Sequence, residues 1–91
     1  MAPLFTLQPI DVDTGSDDRE GRMALVDGRL VAVLVHLSAS HETDSGMWFL
    51  EAGFGRLSGH SPAPFADLDA AQAWIMGELL PVTSQARLPR R

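Results

Sequence analysis

The chain has 91 residues, with 12 acidic side chains against 7 arginines and no lysine, a formal net charge of -5 and 45% hydrophobic residues. That length can bury one small core and excludes multidomain enzymes, Rossmann domains and closed barrels. The absence of cysteine removes disulfide frameworks, thiolate zinc sites and cysteine nucleophiles.

The longest uncharged apolar run, Leu30 to Leu37, falls far short of the roughly 20 residues that span a bilayer. The first residues also lack the charged-then-apolar pattern of a secretory leader. A cytoplasmic protein with no membrane partner is expected. Residues 1–12 carry Leu4, Phe5, Leu7, Ile10 and Val12, too apolar for a solvated tail. They should dock, either as an added edge strand or as a cover for one sheet face. Residues 13–20 are small and charged and read as a flexible loop. The folded core is expected over 21–80, within a single domain of 1–91. Beyond it, residues 81–91 carry Arg87, Arg90 and Arg91 with no acid and read as flexible.

Asp27-Gly28 is the clearest local signal, because a two-residue Asp-Gly loop suits a type I′ hairpin turn. Continued in register, that turn sets Val26 against Arg29, Leu25 against Leu30, Ala24 against Val31 and Met23 against Ala32. One face then holds Met23, Leu25, Leu30, Ala32, Leu34 and His36, and is assigned to the core. The other holds Ala24, Val26, Val31, Val33, Val35 and Leu37. A β-branched run apolar on both sides reads as a central strand.

Past a polar loop from Ser38 to Gly46, the alternation of Met47 to Phe54 predicts a third strand, with Glu51 marking its outward side. Pro62 and Pro64 delay any helix until Asp67, a good N-cap, with Asp69 in the first turn. Leu68, Ala71, Ile75 and Leu79 form the buried stripe, flanked by Trp74 and Met76. Pro81 closes it. The fold class is therefore α+β: a three-stranded antiparallel sheet, open to a fourth N-terminal strand, packed on one C-terminal helix.

The segment Phe65-x-x-Leu68-x-x-Ala71-x-x-Trp74 resembles the closing helix of small bacterial β-β-β-α proteins, many of them uncharacterised. It is also similar to the helix of integrase-type arm-binding domains. The resemblance covers the last third of the core and implies a sheet-plus-helix domain. For members that bind DNA it implies basic residues on the sheet. This core offers only Arg22, Arg29 and Arg56 in a net negative field that opposes phosphate. Nucleic acid is not an expected partner.

Asp11-x-Asp13-x-Gly15-x-Asp17 resembles the start of a calcium loop, since alternate oxygen ligands suit a hard cation. Ser16 stands where the sharp-turn glycine belongs and Arg22 where the bidentate Glu belongs, so a solvated acidic loop is the reading. His36, His41 and His60, with Glu42 and Asp44, are candidate metal ligands, but their spacing matches no zinc pattern. Gly53-Phe54-Gly55-Arg56-Leu57-Ser58 has Ser at the third position of a dinucleotide fingerprint and leads into a proline loop, not a helix. No catalytic constellation is visible and no cofactor is implied, so the chain reads as a non-enzyme.

Two surfaces favour binding. Val31, Val33 and Val35, with Phe49 on the neighbouring strand, make an apolar sheet face that one helix cannot cover. Ala70, Ala73 and Gly77 align on the helix without charge, and an interior glycine invites close backbone approach. The expected function is a non-enzymatic protein-interaction or accessory module, partnered by itself or another protein. The alternative is a small ligand- or metal-binding protein using the Gly55–His60 loop with His36 or His41.

Overall fold

The computed structural model describes residues 3–80. Its strands are β1 (Phe5–Asp11), β2 (Glu20–Val26), β3 (Arg29–His36) and β4 (Trp48–Gly53). A helix, α1 (Leu68–Leu79), follows them, and two short 3₁₀ turns, η1 (Ala39–Asp44) and η2 (Gly55–Leu57), flank β4. The strands lie in the order β1-β2-β3-β4, each antiparallel to the next. A four-stranded antiparallel sheet with one C-terminal helix is an α+β fold, as the sequence predicts.

The fourth strand is the N-terminal one. β1 pairs along β2 from Phe5 opposite Val26 to Asp11 opposite Glu20. Phe5 and Leu7 pack against the core on the helix side, so the segment widens the sheet and leaves the opposite face uncovered.

Asp27 (φ 53°) and Gly28 (φ 81°) both take positive φ, the type I′ requirement. The register runs as expected for two pairs only, Val26 to Arg29 and Leu25 to Leu30. It then slips, and Ala24 pairs with Ala32. Val31 is the extra residue of a β-bulge, and a one-residue slip moves side chains to the other face. Ala24 is consequently fully buried beside Ala32 and Leu34 in the core, and Val31 also packs against that core. Met23 and Leu25 turn to the opposite face. The assignment of Met23, Leu25 and Leu30 to the core, and of Ala24, Val26 and Val31 to the outer face, is thereby corrected. A second slip, between Val33 and Leu34, leaves Glu51 as the extra residue of β4.

α1 starts at its N-cap, where the Asp67 carboxylate accepts the Ala70 N–H at 2.8 Å. It buries Ala71 and Ile75 on Leu34, Trp48 and Leu50, with Leu68, Trp74 and Leu79 packed around them. The long connection before it is not idle. η2 inserts Leu57 into the core at 0% exposure, and Phe65 exchanges two backbone hydrogen bonds with Trp48, at 2.8 and 2.7 Å. Among the described residues no helix is long and apolar enough to cross a membrane.

Ala70, Ala73 and Gly77 lie exposed on the far side of α1. A Cβ built on Gly77 meets nothing within 4 Å. Gly77→Ala should therefore stabilise the fold by about 1 kcal/mol through helix propensity alone. A shift of the urea midpoint checks this, and a loss of stability would reveal a contact at this face.

Candidate functional site

The acidic segment between β1 and β2 folds across the sheet face opposite α1. Gly21 makes room for it: a Cβ there would stand 2.6 Å from Cγ2 of Val12. The Thr14 hydroxyl donates to the Asp18 carbonyl at 2.8 Å, and Ser16 Oγ accepts the Asp18 N–H at 3.1 Å. These bonds turn the Asp18 side chain inward, where the residue is only 7% exposed.

The Asp18 carboxylate ties the loop to the chain leaving β3. Its Oδ1 accepts the Ser38 N–H at 2.8 Å, and Nε2 of His41 donates to its Oδ2. Hydrogen bonds from Ser38, and then from His41, hold this carboxyl at about 2, below its ordinary 3.8. His41 is presented by η1, whose backbone kinks at Glu42 with φ 53° and ψ -106°. A non-glycine residue in that region is strained, and such strain persists only where surrounding contacts hold it.

Between this loop and η1 lies a cleft of about 490 Å³, within the size range of small-molecule sites. Val35, Leu37, Phe49 and Pro64 supply its apolar surface. Thr14, Ser16, Asp18, His41, Asp44 and Glu51 supply polar groups. Val35 and Leu37 are 1% and 6% exposed, while Phe49 remains 39% exposed.

The residues singled out in the sequence are divided by this geometry. Val33, Val35 and Phe49 share the face opposite α1, and Val35 and Phe49 both line the cleft. Val31 faces the helix side instead. His36 stacks on Trp48 with ring centroids 4.8 Å apart. His60 meets the Trp74 ring edge-on at 5.7 Å and lies 3.9 Å from Glu78. His41 sits on the opposite face with Asp18, so it does not share a site with the Gly55–His60 loop. Among the described residues no group of three or more His, Asp or Glu is placed to hold a metal ion.

Of the calcium-like acids, Asp11 and Asp13 border a shallow hollow that also holds Arg19, which lies 3.7 Å from Asp11. The core arginines are split as well. Arg22 pairs with Glu20 at 3.2 Å and lies over the Trp48 ring, whereas Arg29 and Arg56 border a separate hollow near Leu79. The Arg87, Arg90 and Arg91 segment lies outside the described residues.

Sequence reasoning missed Asp18 as the centre of this site. Its partners are 20 and 23 positions away, and nothing local distinguishes it from Asp13 or Asp17. Comparison with known proteins finds no match to this chain, whether among family models, curated proteins or solved structures.

Proposed function

We propose that the protein is a non-enzymatic interaction module that pairs with a second copy of itself through the sheet face opposite α1. The observation that supports this is where the exposed apolar side chains lie. Of the exposed large apolar side chains, the three that lie within strands, Ile10, Leu30 and Phe49, each 39% exposed, fall by strand alternation on that one face. Partly buried Met23, Leu25 and Val33 lie between them. Apolar patches of this kind mark association surfaces.

Two further features favour face over edge. β1 carries Pro9 and Asp11, which blunt strand addition. The outer edge of β4 is occupied by Phe65 at Trp48. The centre of the face, formed by Thr6, Gln8, Met23, Leu25, Leu30 and Val33, bears no charge. Like can therefore meet like there despite the overall charge of -5.

Light scattering at high micromolar concentration should report a dimer for the natural chain. Leu30→Lys with Val33→Lys should give a monomer with a nearly unchanged melt, because both side chains lie outside the buried core. A natural chain that stays monomeric at that concentration overturns the reading.

A further inference from the structure

We infer that the cleft between the β1–β2 loop and η1 binds a small organic cation, an ammonium group carried on a compact apolar body. The inference goes beyond the pairing surface and shares one residue with it, Phe49, which also lines the cleft. Val35 and Leu37, already buried, form the apolar base of the cleft, and the more open Phe49 and Pro64 supply the apolar surface that an incoming body would cover. Phe49 presents a ring that is 39% exposed at the wall, and an aromatic face attracts a cation electrostatically.

The charges on the cleft select the sign of the ligand. Asp18 is already engaged by Ser38 and His41 and so shapes the wall. Asp44 and Glu51 also line the cleft, and among the described residues neither is in an ion pair. No arginine lines it. An anion placed here would meet like charge from Asp44 and Glu51, and a neutral molecule would draw nothing from them. A cation with an apolar body meets floor, ring and carboxylates together, and the negative field of the chain draws it in.

The test is a titration of the ¹⁵N-labelled full chain with phenethylamine, with the isosteric 2-phenylethanol and 3-phenylpropionate run beside it. The amine should shift the amides of Thr14, Leu37, Phe49 and Glu51 and should bind several-fold more tightly than the alcohol. The carboxylate should not bind. Asp44→Asn and Glu51→Gln should each weaken the amine by about three- to five-fold, the scale of a partly exposed ion pair, and leave the alcohol unchanged. A capped tripeptide with a central lysine distinguishes the source of the ammonium. Tighter binding than the free amine assigns a protein side chain, and weaker binding assigns a free small molecule. Repeating the titration in the Leu30→Lys, Val33→Lys background keeps this result independent of pairing. Equal affinity for amine and alcohol, or indifference to both carboxylate variants, overturns the inference. So does the absence of localised shifts at millimolar amine.

Discussion

Gly53→Ala should destabilise the fold by about 3 kcal/mol or more, the upper range for forcing atoms into a packed site. Gly53 ends β4 opposite Ala32. A Cβ there would lie 2.3 Å from the Leu57 carbonyl oxygen and 2.8 Å from its carbonyl carbon. Both are backbone atoms, so no rotamer change relieves the clash. Either η2 lifts, withdrawing Leu57 from a position of 0% exposure, or the end of β4 leaves its partner. The φ of Gly53 is not in the left-handed region, so the effect comes from contact and not from backbone preference. Urea denaturation with an unchanged slope measures it. A midpoint equal to that of the natural chain would show that η2 does not seat on β4.

Gly53 also shows where sequence reading succeeds and where it stops. Its Gly-x-Gly string resembles the start of a dinucleotide fingerprint that Ser58 and the proline loop rule out, and its role is instead close backbone packing, which depends on a residue four positions later. Features with local causes are legible: the positive φ pair at Asp27-Gly28, the Asp67 cap, and the stripe of Ala71 and Ile75. The bulge at Val31 has no such cause. β3 is apolar on both sides, so slipping its register by one residue exposes no charge and alternation gives no warning. That slip is why Val31 leaves Val33 and Val35. The cover over Val35 and Leu37 was equally hidden, because it is the acidic β1–β2 loop and not the apolar Leu4–Leu7 stretch. A polar segment can protect an apolar floor when its own hydrogen bonds are satisfied internally, as Thr14, Ser16 and Asp18 arrange.

Acid should open that loop within a narrow window set by Asp18. Its carboxyl has an ordinary value of 3.8 and is held at about 2 in the folded chain by Ser38 and His41. A carboxyl lowered on folding stabilises the state that lowers it. That contribution is complete above about pH 4 and is lost as pH falls through 2. The Ser38 amide reports the change directly, because its N–H donates to Asp18 Oδ1 at 2.8 Å. Between pH 5 and pH 2 its protection against exchange, corrected for intrinsic rates, should fall by about tenfold or more, as expected when a hydrogen bond to a charged acceptor is given up. Asp18→Asn keeps a carbonyl acceptor for Ser38 but cannot ionise, so this pH dependence should disappear while partial protection remains. Asp18→Ala removes the acceptor altogether and should leave Ser38 unprotected at every pH, with chemical shifts changed through Thr14 to Arg19 and at His41. A ¹³C titration of the Asp18 carboxyl with a midpoint near 3.8 would show that the Ser38 and His41 bonds do not hold it in solution. The loop would then not be fastened at that point.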